Sequence, residues 1–437
     1  MRSRRGPLLA LTLGGSGACL ALVAVALVLW PAAGPSPSAE PAEPELRLEP
    51  VAPVLIRARF SLDGDSVTVG TAAMPAHPAL AAFYAGRAYA QAWTDPAARD
   101  VVLERLRGAA DDGLRPEDYH TADLDRLLAG PHDADSVRVD LDLLLTEGVL
   151  RYADALLGRR VAPDSLYRGV WFPARRTADV GGLLRAALAA AAPADSLAAV
   201  LDGLHPPHPE YAALRALLAR HRTLAARPDW PTVLPGEPLR PGERSARVPA
   251  LRERLTLTGD YLPVVPVDSA FANLYDEALA AAVRSFQEEH GLTADGVVEQ
   301  TTRAALNTRP EDLSPLLALN LERWRWLPDD LGARHVLVNL PTYELAVRDR
   351  SGEGWAEAVR MGVVIGRRYG WKTPVFSDTL SMVVFNPTWS IPASIQREMG
   401  YRRPRLMVRG PGPWNPLGRV KFVFPNPYGI YFHDTTA

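Results

Sequence analysis

The chain is poor in thiols: among 437 residues there is a single cysteine, Cys19. One cysteine excludes an internal disulfide framework and a cysteine-rich metal centre. It also lies in the N-terminal leader rather than in a folded region, so it makes a poor nucleophile for any globular domain of the chain. Net charge is nearly absent too, at -2, so no global field points toward nucleic acid. No pair of histidines stands at metal-ligand spacing near an acidic residue, which speaks against a metal-dependent hydrolase and leaves no metal or organic cofactor expected. Proline, by contrast, is abundant at 40 residues, which predicts many turns and at least one stiff linker.

The first thirty residues carry Arg2, Arg4 and Arg5, then an uncharged stretch from Pro7 to Trp30. That run is long enough to span a bilayer and longer than the apolar part of most cleaved signals. The arginines are expected to stay in the cytoplasm, which puts the rest outside. The reading is an uncleaved signal anchor over 1–30, held in the inner membrane, with the working domains in the periplasm. A cleaved signal that releases a soluble periplasmic protein is the alternative. Residues 31–50, "PAAGPSPSAEPAEPELRLEP", cannot bury a core and read as an extended tether.

From 51 to 238 the pattern is helical. "HPALAAFYAGRAYAQAW", "RDVVLERLRGAADDGL" and "PEYAALRALLARHRTL" space apolar residues by three and four. His120, His132, His205 and His208 are isolated and near turns, and read as surface or capping histidines. A compact unit follows over 239–310. Leu279, Ala282, Val283 and Phe286 share one helical face, Gly291 stops that helix, and "ADG" turns into a further short helix. Strands are expected to dominate from 316 to the end: "ARHVLVNLPTYELAVRD" alternates, with a turn at Pro341-Thr342, and "SMVVFNPTWSIP" and "RVKFVFPNPYGIYFHD" continue the pattern. The fold class is therefore a multi-domain α+β protein with a mostly antiparallel β domain at its C-terminal end.

Chemistry concentrates in the last strand. Alternation in "GIYFHD" puts Tyr431 and His433 on one face and Phe432 on the other. A histidine can act as a general base near neutral pH, provided that a nucleophile lies in reach and something orients its ring. Asp434 can orient it through its carbonyl or its carboxylate. Thr435 and Thr436 are the hydroxyls at hand and are poorly placed to fold back.

Two resemblances sharpen this. "FQEEHGLTADGVV", within 239–310, resembles the peptidoglycan-binding domain of cell-wall enzymes, and implies a three-helix module that binds wall glycan. The blocks "ERWRWLPDDLGARHVLVNLPTYELAV", "VVIGRRYGWKTPVFSD", "VVFNPTWSIPASI" and "GPGPWNPLGRVKFVFPNPYGIYFHDT" resemble, in order, the L,D-transpeptidase catalytic domain. The order of regions is similar to that of the large periplasmic members, which carry a helical scaffold and a peptidoglycan-binding domain. The resemblance implies that His433 is the general base, and that its partner is a cysteine in a Ser-x-Gly-Cys motif a short way downstream. No residue up to Ala437 matches that motif, so the catalytic domain, 316–437, is expected to be truncated and this chain inactive as it stands. An incomplete β domain is expected to be poorly soluble, because apolar strand edges stay unpaired.

The implied reaction joins peptidoglycan stems by 3→3 cross-links, with tetrapeptide stems as donor and acceptor. Stem carboxylates suit arginine. The candidate substrate-binding residues are Tyr431, Arg367, Trp389 and Arg419. Arg368, Lys372, Arg402, Arg403, Arg405 and Arg409 add positive charge nearby, and Trp371 and Trp414 are further aromatic candidates. Between "IPASIQREMGYRR" and "GPGPWNPLGR" only "PRLMVR" remains of the segment that caps the cleft in relatives, so substrate retention is expected to suffer. The competing reading is a wall-binding protein without catalysis.

Overall fold

The structure, a computed structural model, describes residues 51–131, 134–167, 175–262, 271–352, 354–366 and 372–434. The expected anchor (1–30), the tether (31–50), His132, Arg367, Arg368, Trp371, Thr435 and Thr436 lie outside the described residues.

The first region holds helices α1 (Val51–Ala58), α2 (Leu80–Ala85), α3 (Pro96–Arg107), α4 (Thr121–Ala129), α5 (Asp135–Leu156), α6 (Pro163–Tyr167), α7 (Val180–Leu188), α8 (Pro193–Gly203) and α9 (Pro209–Ala225). A hairpin of β1 (Ser66–Val69) and β2 (Ala72–Pro75) sits between the first two. The pillar is α5. It is buried on nearly every side, from Val139 to Leu156, and a helix buried all round belongs at the centre of a core. Its interior acids are not orphaned. The Asp142 carboxylate accepts from the backbone N–H of Ala92 (2.9 Å) and Trp93 (2.9 Å) and from the Tyr84 hydroxyl (2.6 Å). Glu147 accepts from the His77 N–H at 2.9 Å. A buried charge is tolerated only when it is satisfied in this way, and these bonds pin α2 and the chain at 77 and 92–93 to the pillar.

The second region holds α10 (Val248–Thr258), α11 (Glu277–Glu289) and α12 (Gln300–Leu306) around Leu251, Leu279, Val283, Phe286 and Leu306. Asp276 caps α11 by accepting from the Leu279 N–H at 2.8 Å, and the helix stops at Gly291, where φ is +66°. Buried Gln287 then ties down the "ADG" turn. Its Nε2 donates to Asp295 (3.1 Å), the Val297 carbonyl (3.0 Å) and Thr302 (3.1 Å), while its Oε1 accepts from the Gly296 N–H (2.8 Å).

Residues 316–325, expected with the strands, are instead the second half of helix α13 (Pro310–Arg325). Leu317, Leu321 and Trp324 recur at three- and four-residue spacing and pack with Tyr211, Leu214 and Leu218 of α9. Arg325, fully buried, donates to the Tyr211 hydroxyl (3.1 and 3.0 Å) and to the Asp112 carbonyl. Two of the histidines read as surface residues belong to this junction. The ring of His205 meets the Asp112 carboxylate at 3.0 Å, and His208, only 4 % exposed, meets the Pro328 carbonyl at 3.0 Å. Their partners lie 93 and 120 residues away, a pairing that local sequence does not encode.

The C-terminal region is antiparallel throughout its described strands. One sheet runs in the order β3 (Arg334–Asn339), β4 (Glu344–Ser351), β5 (Gly354–Gly362). A second runs β10 (Tyr431–His433), β9 (Val420–Val423), β6 (Met382–Phe385). A two-residue ladder joins β7 (Trp389–Ser390) to β8 (Val408–Arg409), with α14 (Ala393–Glu398) between them. Few apolar side chains are buried here. Phe385, Leu406 and Trp414 are 73, 88 and 81 % exposed. An ion pair from Arg348 on β4 to Glu210 on α9 ties the first sheet to the scaffold.

Candidate active site

The hairpin from β9 to β10 positions the histidine. Asn426 builds its turn: Nδ2 donates to the carbonyls of Phe424 (2.9 Å) and Ile430 (2.6 Å), and Oδ1 accepts from the N–H of Tyr428 (3.1 Å) and Ile430 (3.0 Å). An asparagine side chain that mimics backbone in this way is a recurrent turn device. Register then pairs His433 with Lys421 and Tyr431 with Val423. On the inner face Phe432 packs against Phe424, ring centroids 5.0 Å apart. Tyr431 and His433 share the other face, 5.5 Å apart.

His433 is exposed, yet its ring is not free to spin. Nδ1 stands 3.0 Å from the Pro416 carbonyl and also meets the carbonyl of Asp434. A carbonyl oxygen can only accept, so Nδ1 must carry the proton. In the neutral ring this tautomer leaves the lone pair on Nε2, the arrangement a general base needs. Asp434 thus contacts the ring through its backbone, one of the two routes considered above.

A cleft of about 360 Å³ opens at Asp434, the next residue, lined by Asn386, Gly412, Pro413, Asn415, Gly418, Arg419 and Asp434; the side chains of His433 and Tyr431 are not among its lining. Arg419 is exposed on it, and its backbone carbonyl accepts from the Asn386 N–H at 2.8 Å. Tyr431 is half-buried. Burial pushes its phenol pKa up, so it stays neutral, and the Lys421 ammonium lies over its ring at 3.5 Å. Trp389 is not among the residues lining the cleft. It stands on β7 under the Arg409 guanidinium, 5.7 Å from the ring centre, while Arg409 donates to the Trp414 carbonyl at 2.6 Å. Lys372, Arg402, Arg403 and Arg405 are exposed.

The segment "PRLMVR", expected as a cap, is tied to the chain before α14 by Gln396, only 2 % exposed. Its Nε2 donates to the carbonyls of Ile391 and Arg405, both at 2.8 Å, and its Oε1 accepts from the Arg405 N–H at 3.0 Å. Gln396, Asn415 and Asn426 were not singled out from the sequence. Among the described residues, no group of three or more His, Cys, Asp or Glu is arranged to hold a metal ion.

Comparison with known families agrees with this layout. Residues 78–218 match a scaffold domain, residues 244–306 a peptidoglycan binding domain and residues 333–437 the L,D-transpeptidase catalytic domain. No curated protein matches the chain. A solved structure from Clostridium acetobutylicum, described as a fused Zn-dependent amidase/peptidase/peptidoglycan-binding domain-containing protein, is 17 % identical. The match covers 35 % of this chain and 70 % of that one with a TM-score of 0.14, a likeness that carries no argument. The three domain matches identify a multi-domain α+β protein of L,D-transpeptidase type, equipped to bind peptidoglycan.

Proposed function

We propose that this protein acts in the bacterial envelope as a transpeptidase that joins peptidoglycan tetrapeptide stems by 3→3 cross-links. The observation that carries the reading is the His433 ring, held through Nδ1 by two carbonyls, within residues matched to the L,D-transpeptidase catalytic domain. In this mechanism Nε2 takes the proton of a cysteine thiol. The thiolate attacks the carbonyl carbon of the third stem residue, and the amide bond to the terminal D-alanine breaks. Imidazolium returns its proton to the leaving amine. The side-chain amine of a second stem then attacks the thioester, and the thiol is released.

That thiol is taken to come from outside the described residues and from a position other than Cys19. Arg419, with Arg367, is assigned to stem carboxylates, and Tyr431 to the wall of the site. The peptidoglycan-binding domain would hold the glycan near the cleft. The leader, 1–30, would keep the protein at the inner membrane with its domains in the periplasm, where the substrate is.

The first test is to sequence the gene past codon 437 and assay the gene product for D-alanine release from a tetrapeptide stem. An open frame reaching Ser-x-Gly-Cys, with release abolished by His433→Gln, supports the reading. Sacculus binding with no release by the complete product sinks it.

A further inference from the structure

We infer that the turn Asn415–Gly418 is a positioning cradle for His433, built to decide which of its ring nitrogens carries the proton. The inference deepens the transpeptidase reading and rests on it for its purpose, though not for its geometry.

Asn415 is 2 % exposed and uses its whole side-chain amide. Nδ2 donates to the Pro387 carbonyl at 2.7 Å and to the Gly410 carbonyl at 3.2 Å. These carbonyls belong to the chain leaving β6 and the chain leaving β8, so the turn is bolted to both. Oδ1 accepts from the Leu417 N–H at 2.9 Å. This last bond sets the histidine. The peptide unit from Pro416 to Leu417 is planar and trans, so its N–H and C=O point in opposite directions. Fixing the Leu417 N–H toward Asn415 therefore aims the Pro416 carbonyl the other way, at His433 Nδ1. The proline ring limits φ at 416 and leaves that carbonyl little freedom to swing.

Gly418 closes the turn by donating its N–H to the Asn415 carbonyl at 3.0 Å, with φ at +61°. A Cβ at this position would run into the side chain of Asp434. The glycine therefore leaves the room that lets Asp434 sit against the turn, and this seat brings the Asp434 carbonyl to the same ring nitrogen. Two devices in one four-residue turn thus converge on one proton. Both line the cleft, but each acts here through the His433 ring and not on a reacting atom, which makes Asn415 and Gly418 positioning residues.

The test reads the proton directly. The full chain is labelled with 15N-histidine, and His433, one of nine histidines, is assigned by its disappearance in His433→Gln. The expected spectrum has His433 in the Nδ1–H form when neutral. Asn415→Ala and, independently, Gly418→Ala are expected to shift it several-fold toward the Nε2–H form while the backbone signals of Met382–Phe385 persist. Either variant suffices should the other fail to fold. An unchanged tautomer in a folded variant overturns the inference. So does loss of the Met382–Phe385 signals in both, which would make the turn a structural part of the sheet. The two readings separate cleanly. A tautomer shift, with no D-alanine released by the complete wild-type gene product, keeps the cradle and removes the transpeptidase. Release with an unmoved tautomer does the reverse.

Discussion

Arg325 is the largest fully buried side chain among the described residues, and its charge is met by the Tyr211 hydroxyl, the Asp112 carbonyl and Glu322. Arg325→Met takes the guanidinium from the buried Asp112 carbonyl and the positive partner from Glu322, which keeps the Trp326 N–H, and is expected to cost about 3–5 kcal/mol, read by urea unfolding. Its neighbour Asp112 predicts a pH effect. Burial alone would push that carboxyl up, but the hydrogen bonds from His205 and Tyr152 and the charge of Arg215 outweigh it, so the folded-state pKa is lowered. A lowered carboxyl stabilises fully above the unfolded value of about 4. The contribution is lost as pH falls below that and through the folded value. Asp112→Asn is expected to flatten this part of the stability profile, measured as unfolding midpoint against pH. Arg325 and Asp112 went unread in the sequence because their partners lie far off in the chain: Tyr211 is 114 residues from Arg325, and His205 is 93 from Asp112. The strand face that His433 shares with Tyr431 was legible because alternation is local. Asn415 was not, since nothing in "PGPWNPLG" announces that its amide reaches back 28 residues to Pro387.

Among the elements, α11 was the most readable. Its apolar face at Leu279, Ala282, Val283 and Phe286 is buried as the spacing requires, and Asp276 and Gly291 bound it. What spacing did not show is Gln287, a polar residue that holds the following turn through three bonds and α12 through a fourth. Gln287→Leu is near in size but leaves the Gly296 N–H and the Val297 carbonyl without their partner. The expected loss is about 1–3 kcal/mol in thermal unfolding of the module, with weaker retention on sacculi. Helix α13 shows the opposite failure. Its pattern was present, but proximity to the strands drew half of it into the wrong class. Leu321→Ala, at the centre of its contact with α9, is expected to cost about 2–5 kcal/mol by the same measurement.

Across the whole molecule, apolar burial is uneven. The scaffold and the binding module each enclose a continuous core, whereas the described C-terminal region leaves Met382 and Phe385 on β6, and Leu406 and Trp414 in the connections, largely in solvent. Residues 310–437 alone are therefore expected to melt broadly and to aggregate, while the full chain shows a cooperative scaffold transition in calorimetry. A sharp melt of the fragment would refute this. The helices of the first two regions were legible from apolar spacing, but the attachment of the strands that follow was not. Helix α13 leads into the catalytic strands, yet it is locked by Arg325 into the scaffold's own interior. For gene exchange, this makes the scaffold and the catalytic domain less modular than their matched boundaries suggest. A crossover within 310–325 would give one parent's half-helix to the other's scaffold and leave a guanidinium facing a stranger's Tyr211. Viable hybrids should have their junctions downstream of Asp329, and the failed ones should be lost to misfolding far from the cleft.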